Sequence, residues 1–228
     1  MSNFLNSSIG KKFLMSITGL FLITFLLVHL TMNSMILFDS TGELYNKAAH
    51  WMGTNPIIKI VEPVLAIGFI LHIIYAGILT LLNQWARPVG YDKQNLRKSS
   101  TWASRNMFVL GSVVLIFLVI HISNFFWKMK FTGSELLDQG ATDGVENAYL
   151  LVTTFFIDWW WIDLIYILGA IALGLHLTHA FWAAFQTLGW SNTKWRKRLD
   201  ILGLLYTILV AGGFGLIPIW VKIASMIK

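Results

Sequence analysis

The chain has 228 residues, 56% of them hydrophobic and only 12% charged, with a mean hydropathy of +0.66. No water-soluble domain of this size has an interior large enough to hide that much apolar surface, so the composition points to an integral membrane protein. The absence of cysteine excludes disulfides, thiolate-held zinc, iron–sulfur clusters and covalent haem attachment through a CxxCH motif. The net charge of +6 lies in short loops between apolar stretches, a distribution that argues against nucleic acid as a partner.

Five apolar stretches follow in order, at residues 13–38, 60–82, 107–126, 161–185 and 201–221. Each has the ~20 residues that a helix needs to cross the hydrocarbon core. Helix is the conformation to expect, because a backbone in lipid must pair its polar groups within the segment. The first stretch is too long for the apolar region of a signal peptide, and no small-x-small cleavage site precedes the polar loop, so it is read as span I. The expected fold is an all-α membrane protein, residues 1–228 forming one domain of five spans. The long acidic segment 128–158 has room for a short helix outside the lipid (ELLDQGATDGVENAYLLV). In span V, Gly212–Gly215 (GGFG) permits close helix contact, and Pro218 is placed to bend its far end.

Loop charge sets the orientation. The N-terminus and the loops between spans II and III and between IV and V hold eleven Lys and Arg against Asp92 and Asp200. The opposite end holds six Lys against nine Asp and Glu. The positive-inside rule therefore places the N-terminus in the cytoplasm and the C-terminus outside.

Four histidines lie within four different spans: His29, His72, His121 and His176. An imidazole in hydrocarbon is costly and ordinarily has a partner and a role. A lone one is commonly a hydrogen-bonded polar residue or a proton relay. One on each of four helices is what two bis-histidine haems require. Counted from the span ends, His29 and His121 form an outer level and His72 and His176 an inner one, four to seven residues or roughly 6–10 Å apart. Small residues near His72 (Gly68, Ala76, Gly77) and His176 (Gly169, Ala172, Gly174) leave room for a flat macrocycle, or serve ordinary helix packing. His179, three residues after His176, competes with it as a ligand or bonds a haem propionate or a loop carbonyl. His50 lies in the outer loop.

With these residues in view, the sequence resembles the cytochrome b membrane anchor of succinate:quinone oxidoreductases, in the form with one five-helix subunit and two b haems. The resemblance runs along the whole chain. It rests on SITGLFLITFLLVHL (Ser16–Leu30), NPIIKIVEPVLAIGFILHIIYAG (Asn55–Gly77), His121 and GLHLTHAFWAAFQTLGW (Gly174–Trp190). It implies two stacked haems inside the bundle, with His72 and His176 as ligands of the cytoplasm-proximal haem, His29 and His121 as ligands of the distal one, and Ser16 near the proximal propionates. It favours His176 over His179 as ligand. It further implies a bacterial cytoplasmic (inner) membrane, menaquinone as substrate, and flavoprotein and iron–sulfur subunits as partners. The succinate/fumarate site then lies on another subunit, and a dimer of the whole complex is among the assemblies allowed. The basic segments 87–105 and 194–198 are candidates for docking the iron–sulfur subunit, or only the orientation signal.

Quinone chemistry needs protons, and Glu62, expected to open span II on the outer side just before Pro63, is the first choice to carry them. A solvated carboxylate at a helix start is the bland reading. His50, Asn46 and Asp163 rank behind it. Two other readings stand beside the resemblance. One is a di-haem quinol-oxidising subunit of a nitrate reductase or formate dehydrogenase. The other is a haem-free transporter with histidine proton relays, which would tend to show inverted repeats that this chain lacks.

Overall fold

The computed structural model describes residues 7–86, 101–190 and 192–227. The described residues are almost wholly helical and contain no strand. In chain order the helices are α1 (Ser8–Phe38), α2 (Glu43–Thr54), α3 (Pro56–Trp85), α4 (Trp102–Arg105), α5 (Met107–His121), α6 (Glu135–Asp138), α7 (Ala148–Asp158), α8 (Trp160–Thr187) and α9 (Thr193–Ile227). Five of these stretches are long and apolar enough to cross a membrane: α1, α3, Met107–Thr132, α8 and α9. The chain is thus a multi-pass membrane protein by length and composition of its helices.

Each helix outruns the apolar stretch that announces it. Ser7 caps α1, its hydroxyl accepting from the Gly10 amide at 3.0 Å. Asn55 caps α3 by accepting from the Ile57 amide at 2.9 Å, with Pro56 at the first helical position, where a missing N–H costs nothing. Glu62 and Pro63 therefore sit inside α3 and do not open it. Asn192 starts α9 by accepting from the amides of Lys194 and Trp195. Pro218 lies within the continuous α9. Span III continues past His121 in wider π winding over Ile122–Phe126 and Lys128–Thr132. The widening begins where the Ser123 hydroxyl donates to the Val119 carbonyl, competing for a helix acceptor. Gly133, at φ 70°, stops it.

The side chains turned outward are those of a lipid-facing surface. Ile116, Leu205 and Ile208, all mid-span, are more than half exposed. In water, so large an apolar face would need a partner; around a transmembrane bundle it meets acyl chains.

Packing orders the spans as a ring. α1 lies between α3 and α8, α8 lies between α1 and α5, and α5 closes lightly onto α3. α9 packs along α8 and α1 from outside the ring, with Gly213 against Leu30 of α1. So α1 faces α5 across one diagonal and α3 faces α8 across the other. At the end of the bundle where α1 meets α2, the helices α2 and α7 form a cap. Asn46 of α2 holds it together, donating to Asn147 Oδ1 at 3.0 Å and accepting from the Tyr149 amide at 2.7 Å. Leu151 and Phe156 of α7 and Ile162 at the start of α8, among the best-buried core residues, lie at that same end.

Candidate functional site: imidazoles paired across the bundle

The ring order brings the four histidines together two by two. His29 of α1 meets His121 of α5 with ring centroids 5.6 Å apart and planes at 89°. His72 of α3 meets His176 of α8 with centroids 6.5 Å apart and planes at 65°. Both pairs span a diagonal, so each lies on the axis of the four-helix ring. The grouping is the one that depth along the sequence predicts. His179 takes no part in either pair. Its ring lies edge-on to Trp182 (5.3 Å, 85°), whose other contact is the Arg196 guanidinium at 3.7 Å.

The two levels are farther apart than the sequence suggests. A Cβ on Gly19 would lie 3.7 Å from His72 Cε1, and one on Gly111 would lie 3.6 Å from His176 Cε1. Gly19 is ten residues before His29 on α1, and Gly111 is ten before His121 on α5. A third helix agrees: Tyr166, ten residues before His176 on α8, has its ring 5.9 Å from that of His121. Ten residues are about 15 Å of helix. The expectation of four to seven residues compares depths counted from the apolar boundaries of separate helices, whereas these contacts give the separation along single helices.

The glycines that matter are also different ones. Gly68 meets Phe21, Gly169 meets Phe117 and Gly174 meets Ala211, so these three serve helix packing. The clearance beside the inner imidazoles comes instead from Gly19 and Gly111, on the helices next to the ones that carry them. In the Ser16-x-Thr18-Gly19 motif, Thr18 Oγ1 lies 3.4 Å from His72 Nδ1 while donating to the Leu14 carbonyl at 2.9 Å. Ser16 is buried.

These four rings are not satisfied by one another. Nδ1 of His121, of His176 and of His179 is buried with no hydrogen-bond partner among the described residues. Orphaned ring nitrogens in an apolar interior are expensive. Two imidazoles bound to one metal at about 2.0–2.1 Å per bond have ring centroids roughly 6 Å apart. Each ring also rotates freely about its own metal–nitrogen axis, so any angle between planes is allowed. The centroid separations of both pairs lie near that distance. Among the described residues no three His, Cys, Asp or Glu side chains converge, so the histidines come only in twos.

Aromatic rings and a few polar groups surround the pair His29–His121. Phe25 stacks on His29 (5.2 Å, 21°), and Phe214 of α9 lies 5.6 Å from it. Asn33 donates to the His29 carbonyl at 2.8 Å, and the hydroxyl of buried Tyr45, in α2, donates to Asn33 Oδ1 at 3.4 Å. Burial pushes the Tyr45 phenol up to about 12, so it remains a donor at any ordinary pH.

The expected proton carriers fare differently. Glu62 accepts an ion-paired hydrogen bond from Lys130 at 2.9 Å, both side chains being about one-third exposed. His50 is solvent-facing and Asn46 is spent on the α2–α7 cap. Asp163 is less exposed than Glu62: its Oδ1 has no hydrogen-bond partner, and its Oδ2 is ion-paired with Lys222 Nζ at 3.9 Å. Of the basic segments, residues 87–100 lie outside the described residues. In the other segment, Arg196 pairs with Asp200 at 3.2 Å and Arg198 lies over Trp195. Compared with protein-family models, curated proteins and solved structures, the chain matches none.

Proposed function

We propose that this chain is the di-haem cytochrome b anchor of a succinate:quinone oxidoreductase in a bacterial cytoplasmic membrane. In this reading it carries electrons between an iron–sulfur subunit on the cytoplasmic side and menaquinone near the outer side, while a flavoprotein subunit handles succinate and fumarate. The observation that carries the reading is the pairing of buried imidazoles across both diagonals of the ring, at two levels of one axis.

His72 and His176 would hold the inner haem and His29 and His121 the outer one. Haems held there would supply one-electron carriage. The rest of the work falls to the chain's own residues. Gly19 and Gly111 keep the space beside the inner imidazoles clear, and Thr18 offers an oxygen to His72 Nδ1. A polar partner on the second ring nitrogen fixes a ligand's orientation and basicity. Ser16, buried on α1, and His179, three residues past His176 on α8, would bind acidic substituents there. At the outer end, proton exchange with quinone has two carboxylates to draw on, Glu62 and Asp163.

The test is isolation of the native complex from membranes. The expected result is two b-type haems per chain by pyridine haemochromogen assay, together with a flavin-bearing partner. A molybdenum-bearing partner would move the chain to the nitrate reductase or formate dehydrogenase class. Absence of haem would overturn the reading.

A further inference from the structure

Lys194, Lys197 and Arg198 stand three and four residues apart in the first turns of α9, so they share one side of the helix, and all three are exposed. The same side runs on at helical spacing through Ile201, Leu205 and Ile208, each more than half exposed. Cations therefore give way without a break to the lipid-facing apolar surface of the span. Trp190, in the turn between α8 and α9, and Trp195 are both exposed and mark the level at which acyl chains meet head groups.

These cations have no counter-charge in the chain. Arg196 and Asp200 pair with each other at 3.2 Å, and the Arg196 guanidinium lies 3.7 Å from the Trp182 ring of α8. The nearest carboxylate in sequence is thus spent on the side of α9 turned toward α8. The Arg198 guanidinium lies 5.2 Å over Trp195. Among the described residues no carboxylate lies within ion-pair distance of Lys194, Lys197 or Arg198. A further cation comes from α1, which holds no Asp or Glu. The Tyr206 hydroxyl donates to the Ile23 carbonyl, and Gly213 packs on Leu30, seven residues on in both helices, so α1 and α9 run parallel in a fixed register. Carried back along both helices, that register brings exposed Lys12 level with Trp195.

We propose that this face of α9 binds an anionic phospholipid. Lys194 and Arg198 hold its phosphate, Lys197 and Lys12 flank it, and one acyl chain follows Ile201, Leu205 and Ile208. Guanidinium and ammonium groups both suit a phosphate diester, Arg as a fork and Lys as a point charge. Basic sites at the cytoplasmic ends of spans are where such head groups bind. A water-soluble subunit docked on the cations would leave their apolar continuation uncovered, whereas a lipid satisfies both parts. The inference uses the orientation predicted from loop charge and holds whether or not the chain carries haem.

The experiment uses the protein isolated from membranes with its native companions and delipidated in detergent. It is titrated with dioleoyl phosphatidylglycerol or dioleoyl phosphatidylcholine, and bound lipid is counted by native mass spectrometry. One Lys or Arg near a charged lipid surface is worth about fivefold in affinity, so Lys194→Gln combined with Arg198→Gln weakens phosphatidylglycerol by about thirtyfold. Phosphatidylcholine, which the parent binds about tenfold or more weakly, changes by less than about twofold in that variant. Lys59→Gln, which removes an exposed cation near the start of α3 at the opposite end of the bundle, alters neither lipid. Both variants melt with the parent in lipid-free detergent, because the side chains removed are exposed. Equal affinity of the parent for the two lipids, or unchanged affinity in the double variant, would overturn the site. Displacement of phosphatidylglycerol by equimolar inorganic phosphate would show an anion site with no use for the acyl chain. A double variant that sheds a companion subunit while binding phosphatidylglycerol as the parent does would give the patch to that subunit. Either of these results overturns the lipid.

Discussion

Gly19 and Gly111 allow the two levels of the bundle to be taken apart one at a time. An alanine at Gly19 places its Cβ 3.7 Å from His72 Cε1, and one at Gly111 places it 3.6 Å from His176 Cε1, both ordinary contacts. Valine adds two carbons about 1.5 Å farther out and has essentially one rotamer in a helix. Directed at the imidazole, such a carbon is left about 2 Å where about 3.5–4.0 Å is needed. The ring must then move by more than an ångström, which ends shared ligation at that level. Overpacking of this kind costs about 1–3 kcal/mol, enough to displace a side chain without unfolding a five-helix bundle. The outer pair is about 15 Å away along the helices, beyond the range at which such effects usually couple. Gly19→Ala and Gly111→Ala should therefore retain two haems per chain, while Gly19→Val and Gly111→Val retain one, the outer. Reduced-minus-oxidised spectra with haem quantitation read the outcome. A valine variant that keeps both haems, or that loses the outer one first, would refute the placement of these glycines against the inner pair.

Four further outcomes follow from the same geometry. His29→Ala and His121→Ala should each remove only the outer haem, giving identical residual spectra; different residual spectra would break the pairing. Gly42→Ala forces a left-handed backbone (φ 78°) on alanine and drives its Cβ to 2.5 Å from the Tyr149 ring. The strain, about 1–2 kcal/mol, adds to an overpacking cost of about 1–3 kcal/mol, so the thermal midpoint in detergent should fall by several degrees. The Thr41 hydroxyl, with the Leu44 and Thr41 amides, holds the Asp39 carboxyl below its ordinary range, so its support of α2 is present at neutral pH and lost as pH falls through that lowered value. Asp39→Ala should abolish that acid-dependent part of the melting curve and leave the rest. Glu62→Gln should lower quinone turnover while haem content is unchanged; full turnover would remove Glu62 as a proton carrier.

What could be read from the sequence was whatever depends on one helix at a time. Hydropathy locates all five spans, and the alternation of direction sorts the histidines into the pairs that meet in space. Helix ends were harder, because hydropathy measures the lipid-facing length whereas Asn55, Pro56 and Asn192 set the hydrogen-bonded length. That difference hid Glu62 inside α3. Contacts between helices were not legible at all. Gly68 and Gly169 looked like space beside a histidine because they share its helix, yet they face phenylalanines of neighbouring helices. The packing of Tyr166 against His121 was likewise not legible; Tyr166 lies ten residues before His176, as Glu62 lies before His72.

That shared offset has a topological cause. Sequential spans run in opposite directions and pack as neighbours, so spans two apart run the same way and face each other across the ring. Each histidine pair therefore comes from parallel helices, and one spacing serves both members of a pair. On the two helices of one direction, a glycine precedes the histidine by ten residues, so each clears one level and furnishes an imidazole to the other. On the two helices of the opposite direction, the residue at that offset is Glu62 or Tyr166, and it falls at the outer level. The inner level thus has bare backbone beside its imidazoles, and the outer level has groups that carry protons.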